Sequence, residues 1–350
     1  MTLRGTAKYL GGVLLAVGLL WWVLHGTEQR SVWEGLKRAS LPGLALAGVL
    51  SLGHNVFRAW RWRALLEPVR PGVPFRPMFD AIILGYLITW TVPGRLGELV
   101  RPALLSGRQG VPIGPCLGSV VADRVLDGIA VLALFGAGAA LTPLEQGAVR
   151  HVEVIRAGAF ALVGLIGVPL VLLILVSRSR SRLARLVEQR AGLRGRLGRA
   201  LLALSQGVDA LKEPALLARV VLFTLLAWLT IAASTWAGLR ASGVEISFAA
   251  SLLLQPLLAL GIALPTPGGA GGYHAMMRIG LIQLFAVAQP LAVSAGLLTH
   301  AASILPIVLA GCVLLVVDRI PFQDLLRAAR QLRDLGARPA GSAPRAGGLS

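Results

Sequence analysis

A short helix-breaking element occurs twice inside apolar sequence, as PGRLGELVR from Pro93 to Arg101 and as PTPGGAGGYH from Pro265 to His274. Both contain P-G-x-x-G, and both close a stretch with the composition of a membrane helix. Proline removes a backbone donor and glycine relaxes the backbone, so a helix ends there and polar groups are freed. Hydrocarbon offers those groups no partner, so such a break survives only against protein or a water-filled cavity. One break in each half of the chain predicts an inverted repeat whose hairpins meet at a membrane-buried site. A common turn duplicated by chance gives the same short similarity, and the residues alone leave both readings open.

Only 14% of the 350 residues are charged, against about 25% in a soluble domain. With a mean hydropathy of +0.74, this composition predicts an all-α integral membrane protein. The net charge of +18 is carried almost entirely by arginine. It reads as loops held at an anionic cytoplasmic leaflet. No separate basic domain with interleaved aromatics exists, which argues against a nucleic-acid partner. Cys116 and Cys312 are too few for a disulfide framework or a metal cluster and read as small buried hydrophobes. The chain has no G-x-x-x-x-G-K-[ST], H-E-x-x-H or G-x-S-x-G, so neither a phosphate loop nor the common hydrolase signals are present. No cofactor or metal is expected.

Six full spans are expected, over Tyr9–Leu24, Leu41–Phe57, Pro115–Leu141, Arg156–Val176, Leu217–Leu239 and Leu291–Val317. No small-x-small cleavage site follows the first, which reads as a retained span. The two stretches leading into the P-G-x-x-G elements read as helical hairpins, giving about eight to ten membrane segments. Arginine sets the orientation. Five lie between Arg58 and Arg76, eight with one lysine between Arg178 and Lys212, and six after Val317. The positive-inside rule puts these segments and both termini in the cytoplasm. Parity then has the two hairpins entering from opposite faces. Residues 1–317 form the polytopic domain, with 178–212 an amphipathic, Arg-rich cytoplasmic loop on the inner surface. Residues 318–350 form a basic cytoplasmic tail, expected to be disordered from Ala337.

Charges within spans are the sharpest chemical signals. Asp123 and Asp127 share a helix face, and Arg124 and Asp127 are i,i+3 neighbours able to pair. Each costs about 2.5–3.5 kcal/mol at a helix centre unless it is used. They read either as an internal ion pair locking helices or as a polar lining for an anionic headgroup or a proton path. After the first break come Gly94, Arg95, Gly97, Glu98 and Arg101. A helix beginning near Leu96 would present its amides to an anion. Glu98 reads equally as a cap and Arg101 as a snorkelling side chain. His54, Arg58, Arg61 and the tryptophans around them read as an interfacial belt or as an arginine clamp for a phosphate. In the second element, Pro267, Gly268, Gly269 and Gly271 precede His274, which can titrate near neutrality. Gln255 and His300 are further polar candidates.

FRAWRWRALL, PGRLGELVRPALL, VVADRVLDGIAVL and PTPGGAGG together resemble the flippase-like membrane proteins that share the transmembrane region of lysylphosphatidylglycerol synthase. The resemblance covers about Asn55 to Val316. It implies a multi-spanning bacterial inner-membrane protein associated with lipid or lipid-linked glycan handling. The family pattern falls on Arg58, Arg61, Arg63, Gly94, Arg95, Gly97, Glu98, Arg101, Asp123, Arg124, Asp127, Pro267, Gly268, Gly269 and Gly271. A glutamate commonly follows the second glycine element in that family, and His274 stands in its place here. The full-length synthases carry a soluble aminoacyl-transferase domain after the membrane part. Only a short Arg-rich tail follows Val317, which argues against lysyl transfer by this chain alone.

The sequence therefore points to translocation of an anionic lipid or lipid-linked precursor. A headgroup transferase using Glu98 or Asp123 as base, and a structural partner of an envelope-synthesis enzyme, are the alternatives.

Overall fold

The structure, a computed structural model, describes residues 3–92, 96–143, 164, 167–168, 171–188, 192–264 and 266–328. Among these residues the secondary structure is entirely helical. In chain order the helices are α1 (Leu3–Leu24), α2 (Gln29–Arg38), α3 (Leu41–Leu66), α4 (Phe75–Thr91), α5 (Gly97–Gln109) and α6 (Ile113–Leu141). Then follow α7 (171–178), α8 (Arg180–Glu188), α9 (Gly192–Ser205), α10 (Pro214–Ala241), α11 (Phe248–Leu252), α12 (Gln255–Ala263), α13 (Gly272–Phe285) and α14 (Gln289–Val317). Short 3-10 turns cover Gln206–Lys212 and Pro267–Gly269.

Helices α6, α10 and α14 are long and apolar enough to cross a membrane. Helices α1 and α2, bent by 92° at their junction, supply a fourth span if they are taken together. Helix α3 has 26 residues, about 39 Å at 1.5 Å per residue, but is not among the helices apolar enough for that class. The expected span over Arg156–Val176 lies largely outside the described residues, as do Gly94, Arg95 and the tail from 329.

Polarity runs opposite to that of a soluble core. On α14, Leu305, Leu309, Val313 and Val316 are exposed, and on α10 Leu217, Val221, Leu225 and Leu229 are. These stripes at helical spacing are what lipid would cover. Arg58, Arg61, Arg101, Asp123 and Asp127 are buried instead. Helices meet through small residues, as membrane helices do where no solvent drives association. Ser234 of α10 donates to the Ala47 carbonyl of α3 at 2.7 Å, and Ser51 of α3 donates to the Ser303 carbonyl of α14 at 2.8 Å.

Each break sits at the turn of a helical hairpin, α4 with α5 and α12 with α13. The two hairpins are sealed the same way. A Cβ on Gly97, the first residue of α5, would collide with the Gly85 carbonyl oxygen of α4. A Cβ on Gly272, the first residue of α13, would collide with the Gly261 carbonyl oxygen of α12. The P-G-x-x-G spacing pairs Gly97 with Gly271, whereas this contact pairs Gly97 with Gly272. The repeat is thus offset by one residue, because Gly271 is consumed as the N-cap at φ 80°. Gly268 and Gly269 have φ of 64° and 65°, which L side chains rarely adopt. They lie against Trp90 at the end of α4, so the tips of the two hairpins touch.

Two peripheral segments are tied to this frame. Helix α9 and the turn after it pack on α6, where Gly118 meets the backbone of Leu204, and α8 packs on α9. Asp209 anchors the segment by accepting from Ser177, from Arg180 at 2.8 Å and from Lys212 at 2.7 Å. Burial alone would raise its pKa, but the hydrogen bonds from Lys212, Ser177 and Arg180 outweigh burial and hold it below the ordinary carboxylate value. A depressed folded pKa stabilises the fold above the unfolded value of about 3.9 and is lost as pH falls through the folded one. The wild type should therefore melt above Asp209→Asn at pH 7, and the gap should shrink once the pH drops below about 4. A constant gap across a pH series of thermal melts would remove the anchor role. Beyond α14, Leu325 is fully buried beside Leu84, Leu87 and Val100 of the first hairpin, and Asp318 pairs with Arg76 at 3.1 Å.

Candidate functional site

Helices α3, α5, α6 and α10 bring seven charged side chains and their polar neighbours together. Arg58 reaches Asp123 at 2.7 Å and Asp127 at 3.1 Å. Arg61 pairs with Asp123 and, at 2.8 Å, with Asp127, and also donates to the Thr224 hydroxyl at 3.3 Å. Arg101 reaches Asp123 at 3.4 Å, with its guanidinium over the Trp62 ring at 5.0 Å. Trp62 in turn donates to Ser119 at 2.9 Å, and Trp228 donates to Asp127 at 3.0 Å. At the edge, Arg124 bridges Glu98 at 3.1 Å and Asp127 at 3.5 Å. The α3 spacing explains the double clamp. Arg58 and Arg61 are i,i+3 on one face, opposite the i,i+4 face of Asp123 and Asp127 on α6.

Charge balance decides what this cluster can do. Four guanidiniums face three carboxylates, leaving one positive charge uncompensated. The side chain of Asp123 is 0% exposed, whereas those of Arg124 and Glu98 are 34% and 32% exposed. The buried members, Arg58, Arg61 and Arg101 against Asp123 and Asp127, therefore keep the one positive charge in excess, turned to the cavity by Arg58 and Arg101, while Arg124 and Glu98 balance each other at the edge.

That edge opens on a cavity of about 330 Å³. Arg58, Arg101, Arg124, Glu98 and Asp127 line one side of it. Val131, Leu132, Ile231, Leu258, Ile262 and Ile304 line much of the rest. His300, Trp90 and Tyr273 line it where the hairpin tips touch.

The structure separates the residues singled out in the sequence. Arg58, Gly97, Glu98, Arg101, Arg124, Asp127, Gln255 and His300 border the cavity. Arg61 and Asp123 do not line it but are buried behind it, so Arg61 is not the interfacial belt residue the sequence also allowed. Arg101, 2% exposed, does not snorkel. Glu98 lies in the first turn of α5, and its carboxylate pairs with Arg124. Pro267, Gly268, Gly269 and Gly271 shape the second tip, and His274 lies behind it against His300. Gly94 and Arg95 fall outside the described residues. Tyr86, Trp90 and Trp228 were not singled out. Their signal was an aromatic with a polar handle inside an apolar run. Among the described residues no group of His, Cys, Asp and Glu is arranged to hold a metal.

Apolar outer faces around a charged internal cavity define a multi-pass helical membrane protein. A sequence profile described as the lysylphosphatidylglycerol synthase TM region matches residues 9–311, and the chain belongs to that family. The family relates it to lipid modification or transport. No curated protein matches the chain.

Proposed function

We propose that the chain binds an anionic lipid or lipid-linked precursor in this cavity and carries it between the leaflets of the bacterial inner membrane, with both termini cytoplasmic. The observation that carries the reading is the cavity itself, with a surplus of one guanidinium on one side and aliphatic side chains around the rest. An anion gains charge-assisted hydrogen bonds there, from donors already oriented by Asp123, Asp127 and Glu98. The aliphatic side accepts the start of an acyl or polyprenyl chain. The touching hairpin tips suit a repeat that opens the cavity to one leaflet at a time.

Arg124 and Glu98 sit at the cavity edge and can be changed without unpairing the buried core. Purified wild type should retain a defined anionic lipid in native mass spectrometry, and Arg124→Ala/Glu98→Gln should retain it at least about tenfold less. Vesicles carrying the wild type should also move a fluorescent anionic phospholipid to the quencher-accessible leaflet, leaving it chemically unchanged. The same bulk phospholipids on both proteins would sink the binding reading. A covalently altered lipid would turn the cavity into a headgroup-transferase site.

A further inference from the structure

The cavity wall beside the hairpin tips holds a second set of donors. The hydrogen bonds fix the tautomers of two histidines in series. The backbone N–H of Gly271 donates to Nδ1 of His274 at 3.2 Å, so neutral His274 carries its proton on Nε2. That proton is donated to Nδ1 of His300 at 3.1 Å, which leaves the His300 proton on Nε2. A second proton on either ring would point N–H at N–H. His300 Nε2 has no hydrogen-bond partner, and the residue is 8% exposed and lines the cavity. Tyr273 stacks on its ring at 4.3 Å and holds its plane. Trp90, whose ring meets His300 edge-on at 6.3 Å, also lines the cavity and also leaves its indole N–H without a partner.

Two buried, oriented, uncharged N–H groups are costly unless something accepts from them. Neither adds charge, and three arginines already line the cavity for the anion, which leaves this pair for an uncharged acceptor. We propose that Trp90 Nε1 and His300 Nε2 form a neutral donor subsite that reads an uncharged oxygen of the same ligand whose anionic group meets Arg124. This rests on the proposed lipid-binding function and adds a selectivity to it. An ester carbonyl or a headgroup hydroxyl qualifies, whereas a bare anionic amphiphile does not.

Full-length protein in detergent would be titrated with hexadecyl phosphate, which has no uncharged acceptor beyond its phosphate, with phosphatidic acid, which adds ester oxygens, and with phosphatidylglycerol, which adds hydroxyls as well. His300→Phe and Trp90→Phe each remove a donor and keep an aromatic ring, and each tests the subsite independently. Because both residues also wall the cavity, hexadecyl phosphate is the reference for each variant, and the losses on the other probes are taken relative to it. Each should lose about five- to tenfold on an ester- or hydroxyl-bearing lipid, the worth of one buried hydrogen bond. A loss on phosphatidic acid and phosphatidylglycerol alike identifies the ester, and a loss confined to phosphatidylglycerol identifies the hydroxyl. Equal losses on all three probes, or none on any, would overturn the subsite. Failure of the wild type to bind any of the three anions would instead overturn the lipid-binding reading beneath it.

Discussion

Asp123→Asn should be the most damaging single substitution in the chain. The side chain keeps its size but loses the charge that Arg58, Arg61 and Arg101 share. Two carboxylates would then face four guanidiniums, three of them nearly inaccessible to water. Removing one partner of a buried ion pair typically costs about 3–5 kcal/mol, because the charge left behind is desolvated and uncompensated. The expected result is a fall in apparent melting temperature of about 10 °C, or loss of monodisperse protein. The cause can be separated from simple misfit. Arg61 lies off the cavity and bonds only to Asp123, Asp127 and Thr224 among the contacts described. Removing it as well, in Asp123→Asn/Arg61→Met, restores the original excess of one positive charge and should recover much of the loss. A single variant melting within about 2 °C of wild type would show that the three arginines do not depend on this carboxylate.

The second large effect concerns the hairpins. Gly97→Ala drives a methyl into the Gly85 carbonyl, and Gly272→Ala does the same at Gly261. The atoms in the way are backbone, which cannot rotate aside, so the helices must part. Overpacking of this kind costs about 1–3 kcal/mol even where side chains can yield. Gly107→Ala is the control on the same helix as Gly97, since a Cβ there meets nothing within 4 Å. Alanine should be neutral or favourable at position 107, by up to about 1 kcal/mol. Thermal melts of the three variants decide it, and coincident curves for Gly97→Ala and Gly107→Ala would show that the hairpins are not held by glycine contact.

Helical class, membrane character and the two breaks were legible because each is a property of composition or of neighbours along the chain. Asp123, Arg124 and Asp127 were legible as a cluster for the same reason. Their partners were not. Whether Arg58 and Arg61 face lipid, water or Asp123, more than sixty residues away, depends on the rotation of α3 against α6, which helical periodicity alone does not fix. That pairing is also how α3 keeps Arg58 and Arg61 inside the protein. The one-residue offset between the hairpins was hidden by the motif itself. Pro93 and Pro267 align by spacing, but Gly271 takes a left-handed cap and passes the close contact to Gly272. Trp90 and Trp228 were passed over because an indole among leucines looks like core until its N–H direction is known.

The seating of Leu325 bears on how this protein can be cut and tagged. Its side chain fills a hole among Leu84, Leu87 and Val100, and Asp318 crosses to Arg76 just before it. A protease site or reporter inserted between Val317 and Leu325 would pull that plug and uncover apolar surface on the first hairpin. One placed after residue 328 would leave the plug in position. Activity lost with the first design and kept with the second is a packing defect, and gives the basic tail no part in handling a substrate.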